Sequence, residues 1–183
     1  MAEYRYDSNE KLTEHFTVRE FRCKCGAAHT THIDPALPRK LEELRSRLGC
    51  KAIVINSGYR CPAHDKSVGG SGSGPHTKGI AADIVCYGKD GRAVSSNIVS
   101  CAAQNLGFGG IANIDKSRTA THVDVRTENL WKGDETVTTA YSVTGDFYSY
   151  YGLTKAAVYG AGECQVTVKI GDTTYTGTLT EKS

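Results

Sequence analysis

His76-Thr77-Lys78-Gly79-Ile80-Ala81-Ala82-Asp83-Ile84-Val85-Cys86 runs out of a glycine-rich loop and into an apolar segment. Residues 67 to 79 hold five glycines and a proline, a composition that keeps the backbone out of regular structure. Ala81 to Cys86 reads as a strand. An imidazole on the loop and a carboxylate on the strand thus flank a turn at Gly79, which can aim both side chains at one point.

Upstream, Asp34-Pro35 opens a helical pattern in which Leu37, Leu41, Leu44 and Leu48 recur at three- and four-residue steps. Pro38 falls near its start, and Gly49 follows where a helix end favours glycine. Ala52 to Ser57 is a short β-branched run before Gly58 and predicts a buried strand. Downstream, Val94, Ile98, Cys101 and the Asn105-Leu106 turn mark a second amphipathic helix closed by Gly107. Thr121-His122-Val123-Asp124-Val125-Arg126 alternates polar and apolar residues as a half-buried strand does. Helices and strands interspersed in this way predict an α+β fold, a small mixed sheet with flanking helices, over residues 1–132.

Beyond Trp131, Thr, Val and Tyr alternate through 136 to 143 and again in 164 to 180, with Gly171-Asp172 suited to a hairpin turn. Residues 133–183 are therefore expected to form a β-rich C-terminal extension. About fifty residues is near the lower limit for an independent core, so the extension is expected to pack on the main domain or on another copy.

The chain has 183 residues, 39% of them hydrophobic and 23% charged, and no apolar run long enough to cross a bilayer. We expect no membrane insertion. A net charge of +2 from 22 basic and 20 acidic residues leaves no electrostatic footprint for nucleic acid. The first residues lack the basic start and apolar stretch of a secretory signal, so synthesis in the cytoplasm is expected. Seven cysteines are an odd set, expected to be mostly reduced there. Cys23, Cys25, His29 and His32 make a candidate second metal cluster, although their spacing departs from the common zinc knuckle.

A catalytic zinc takes three protein ligands and keeps a fourth position for water. His76 and Asp83 fit the first two ligand types. His122 and Asp124 lie two apart on a strand and so share a face, with the acid about 6 to 7 Å along it. Asp124 is either a partner of a metal-binding imidazole or a base acting on the water. Spacing alone also admits ordinary polar residues at all four positions.

Four ordered segments add specificity: Ser57-Gly58-Tyr59-Arg60-Cys61-Pro62-Ala63-His64, Val68-Gly69-Gly70, His76-x2-Gly79-x-Ala81-x-Asp83-Ile84 and His122-Val123-Asp124. Together with His15-Phe16-Thr17-Val18-Arg19-Glu20-Phe21 and Cys23-x-Cys25-Gly26, they resemble the zinc D-Ala-D-Ala carboxypeptidase and endopeptidase family over residues 14 to 131. The resemblance implies a single catalytic Zn2+ held by His76, Asp83 and His122, with no organic cofactor. It implies that Arg60 binds a carboxylate of a peptidoglycan peptide, a role that suits the planar guanidinium fork. His64 is read as a structural residue near the site.

Two departures from the family pattern matter. Gly74 stands where many relatives have a serine two residues before the first ligand, and Ser73 is one residue earlier. Thr119 stands where some branches place an acidic base three residues before the last histidine. The base is therefore sought first at Asp124 and second at Asp115.

The expected function is hydrolysis of a peptide bond in peptidoglycan stem or cross-link peptides, with a phage or prophage endolysin as the favoured setting and action on the wall after release. Two rivals stand beside it: a non-catalytic wall- or protein-binding module of the same fold, and a cysteine hydrolase using Cys61 and His64.

Overall fold

The structure, a computed structural model, describes residues 1–136, 142–159, 164–170 and 173–179. Strand β1 (Ala2–Tyr4) pairs antiparallel with β2 (Thr31–Ile33), and the short helix α1 (Val18–Phe21) lies between them in sequence. Helix α2 (Ala36–Arg47) forms where the leucine spacing predicts it, burying Leu37, Leu41 and Leu44. Burial of each such side chain contributes roughly 1.5–3 kcal/mol. Asp34 caps the entry by accepting from the Ala36 N–H at 2.8 Å, and Gly49 closes the end with φ +59°.

There follow β3 (Ala52–Ser57), α3 (Pro62–Ser67), β4 (Ala81–Tyr87), α4 (Ser96–Asn105), β5 (Gly110–Asn113), β6 (Ala120–Asp124) and β7 (Trp131–Asp134). The five strands form a mixed sheet in the order β3-β4-β6-β5-β7, antiparallel except for the parallel pair β5 and β7. Two expectations change. Strand β3 lies at the sheet edge with Val54 exposed, so it is half-buried. Strand β6 lies between β4 and β5 and is buried along its whole length, polar residues included.

One face of the sheet carries Ile53, Ile55, Ala82, Ile84, Ile111 and Val123 into the main core with α1, α2 and α4. The alternate residues Asp83, His122 and Asp124 turn to the other face. An apolar face thus anchors the sheet while a polar one is left for chemistry.

The core does not stop at residue 132, since β7 spans that position and Val143, Phe147 and Val158 join the same cluster. Residues 147–159 are not strands but two short helices, α5 (Phe147–Tyr151) and α6 (Lys155–Tyr159). Asp146 caps α5 by accepting from the Ser149 N–H at 2.8 Å. Strands β8 (Cys164–Ile170) and β9 (Thr173–Leu179) then pair antiparallel, with Ile170 opposite Thr173. The expected turn at Gly171-Asp172 and most of the 136–143 alternation lie outside the described residues.

Candidate metal centre

Antiparallel pairing sets Asp83 directly opposite His122, on neighbouring central strands and on the same face. His76 reaches them from the loop before β4. Its turn is closed by the Gly79 N–H donating to the His76 carbonyl at 3.2 Å. Gly79 has φ +64°, and a Cβ there would overlap the His32 backbone, so this turn requires glycine.

Three donor atoms converge. His76 Nε2 is 3.2 Å from Asp83 Oδ1 and 3.2 Å from His122 Nδ1, and His122 Nδ1 is 2.9 Å from Asp83 Oδ1. A tetrahedral ion with bonds of 2.0–2.1 Å separates its ligand atoms by about 3.3 Å, so the present spacing is within a few tenths of that geometry. All three residues are buried or nearly so, at 5%, 9% and 8% exposure. Two imidazole nitrogens and a carboxylate oxygen are a donor set suited to zinc.

The remaining ring nitrogens are committed elsewhere. His76 Nδ1 lies 2.7 Å from the Gly58 carbonyl, and donation there leaves the Nε2 lone pair facing the convergence point. His122 Nε2 lies 3.2 Å from Asp124 Oδ2, which leaves Nδ1 facing the same point.

Electrostatics hold the acids ionised. Burial alone would raise the Asp83 carboxyl, but His122 and His76 outweigh it and hold it well below the usual carboxylate range. Asp124 is held low in the same way by His122 and Arg126. Burial would lower His122, yet Asp124 and Asp83 together raise it from 6.5 to about 9.

The other sequence candidates occupy distinct places. Asp124 is fully buried, and Arg126 grips it through Nε at 2.8 Å and Nη2 at 2.5 Å. Asp115 folds back on its own turn, accepting from the Thr119 and Ala120 N–H groups at 2.9 and 2.7 Å. Arg60 donates from Nη2 to Asp83 Oδ2 at 2.5 Å, from Nε to Ser57 Oγ at 2.8 Å, and from Nη1 to Asp65 Oδ1 at 3.4 Å. His64 gives its backbone N–H to Cys61 Sγ and sits outside the three-ligand group.

A cleft of about 480 Å³ opens over the convergence point, lined by His76, Asp83 and His122 together with Arg60, Arg126, Trp131 and Glu135. Asp124 and Asp115 are not among its lining residues. Among the described residues, Asp83 and Glu135 are the carboxylates that are. Spacing to the last histidine gave no hint of Glu135. Its place follows from β7 running parallel to β5, where the Glu135 N–H donates to the Asn113 carbonyl at 2.9 Å.

The peptidase M15 family model matches residues 14–124, which takes in all three convergent side chains. The chain belongs to the peptidase M15 family. M15 peptidases are zinc-dependent metallopeptidases, and the family includes the D-Ala-D-Ala peptidases that the motifs resemble. No curated protein matches the chain. The M15 match ends at Asp124, so Arg126, Trp131 and Glu135 come from beyond it.

Proposed function

We propose that the protein is a zinc-dependent peptidase that hydrolyses a peptide bond in peptidoglycan stem or cross-link peptides, of the D-Ala-D-Ala carboxypeptidase or endopeptidase type. The observation that carries this reading is the convergence of His76 Nε2, His122 Nδ1 and Asp83 Oδ1 on the floor of an open cleft. These three side chains hold the metal. Zinc, when bound, acidifies the attacking water and polarises the scissile carbonyl.

The protein's own residues supply the rest. Asp124 and the Gly58 carbonyl orient the two imidazoles. Glu135 lines the cleft as the general base, accepting a proton from the nucleophile and returning it to the leaving amine. Arg60 and Arg126 both line the cleft, and a guanidinium suits a peptide that bears a free carboxylate. Arg60 also steadies Asp83, so it joins substrate binding to metal holding.

Such an enzyme acts on the wall after release, as a phage or prophage endolysin does. Purified peptidoglycan digested with wild-type protein and with His122→Ala tests the reading. Mass spectrometry of the fragments should show one type of peptide bond cleaved by the wild type alone, with cleavage lost on chelation and restored by zinc. Wall binding without any cleaved bond would instead mark a non-catalytic module.

A further inference from the structure

The segment after α1 and the loop after β3 meet at sulfur. Cys23, Cys25 and Cys61 bring their Sγ atoms within 4.8 Å of one another, and all three are free thiols. Cys23 and Cys61 are buried, whereas Cys25 is exposed. His29 and His32, expected to complete this cluster, do not belong to it. His32 instead faces Glu3 at 3.5 Å and packs edge-on to Tyr59.

Two features suit these sulfurs to a cation. A tetrahedral ion with bonds of about 2.3 Å to sulfur spaces its thiolates about 3.8 Å apart, within the limit observed here. Backbone donors also aim at the buried sulfurs: the Cys61 N–H donates to Cys23 Sγ at 3.3 Å and the His64 N–H to Cys61 Sγ at 3.4 Å. Amide donors of this kind help to stabilise the charge that a ligating thiolate carries. Three soft donors around one point select a soft cation over magnesium or calcium.

We propose that Cys23, Cys25 and Cys61 form a second metal site, which binds zinc through three thiolates and leaves the fourth position to solvent beside Cys25. Each thiol releases its proton to solvent as the ion binds. The bound ion staples the end of α1 to the loop that serves the cleft. That loop already leans on α1 through the Tyr59 N–H donating to the Phe21 carbonyl at 2.7 Å. Gly58 supplies the carbonyl that orients His76, and Arg60 supplies the contact to Asp83. The staple therefore positions residues of the cleft without touching substrate.

Cobalt(II) separates this site from the cleft, because thiolate-to-cobalt charge transfer in the near ultraviolet needs sulfur ligands and the His76, Asp83, His122 group has none. The fully reduced full chain titrated with Co2+ should develop that absorption, and His76→Ala/His122→Ala should retain it. Cys25→Ser, a surface change whose fold is checked by circular dichroism, should bind at this site roughly tenfold or more weakly. Cys25→His should restore binding with weaker charge transfer. Absence of the absorption in the reduced wild type, or an unchanged titration in Cys25→Ser, would overturn the proposal. So would a Cys23 disulfide that persists under the same reducing conditions.

Discussion

Asp124 Oδ2 stands 3.2 Å from Nε2 of His122, at a position with no solvent exposure. A carboxylate placed there fixes the tautomer of the imidazole and makes Nδ1 a better donor to metal. Asp124→Asn should weaken zinc affinity roughly 10- to 100-fold and leave turnover at saturating zinc largely intact. Competition titration with a chelator, paired with kcat at high zinc, measures both. Full zinc affinity with lost turnover would return Asp124 to the role of base.

Glu135→Gln keeps the shape of the side chain and removes its charge. Zinc content should stay near wild type while kcat falls about 10²- to 10⁴-fold, the range for a general base. Asp115→Asn is the contrast, because Asp115 accepts the N–H groups of its own turn. Its defect should appear as a lower Tm, by roughly 1–3 kcal/mol of stability, with turnover per folded molecule preserved.

Arg60→Lys keeps the charge and loses the planar fork. A loss of roughly 1.5–3 kcal/mol in kcat/KM, or about ten- to a hundred-fold, is expected on a substrate with a free carboxylate. Amidating that carboxylate should cost the wild type a similar factor and cost Arg60→Lys little more. Because Arg60 also holds Asp83, zinc affinity should fall modestly in the same variant. Additive losses from mutation and amidation would leave Arg60 with the Asp83 contact alone.

The raised His122 pKa gives the metal-free protein a pH signature. Its folded value of about 9 lies above the ordinary 6.5, so its contribution to stability is complete below pH 6.5 and is lost as pH rises through 9. The Tm of metal-free protein should fall across that window. At pH 7 zinc must displace a proton from this ring, so calorimetry in buffers of different ionisation heat should report its release. Zinc uptake at pH 7 without proton release would contradict this account.

Much of the candidate site was legible because two of its three convergent side chains, Asp83 and His122, come from central strands. The leucine spacing marked α2, the apolar run marked β4, and the motif order named His76, Asp83 and His122. Pairing of β4 with β6 then brought the last two face to face. Glu135 was not legible, since its position depends on parallel pairing of the four-residue strand β7, which carries no alternating apolar face. Cys61 was missed as a partner of Cys23 and Cys25 because it lies 36 residues beyond Cys25, whereas His29 and His32 are ligand types close by in sequence. The alternation at 136–143 and 164–180 led to a β-rich reading of the whole extension, although Asp146 three residues before Ser149 was a readable helix cap between them.

A chain ending at Lys132 should fail to fold stably, because it cuts β7 and deletes the buried Phe147. Loss of a buried phenylalanine alone costs roughly 3–5 kcal/mol. A chain ending at residue 159 should keep its thermal transition and its zinc. Stable zinc binding by the shorter chain would show that the core closes without residues 133–159.

The parallel strand β7 also divides the cleft by origin. The convergent His76, Asp83 and His122 come from β4, β6 and the loop before β4, whereas Trp131 and Glu135 arrive on a segment held by the Tyr151 hydroxyl donating to Asp134 at 3.0 Å. One wall is therefore a separate panel, tied to α5 and carrying none of the three convergent side chains. Substituting Trp131, with Glu135 and the buried Phe147 kept, offers a way to retune which peptide the cleft accepts while leaving His76, Asp83 and His122 as they stand.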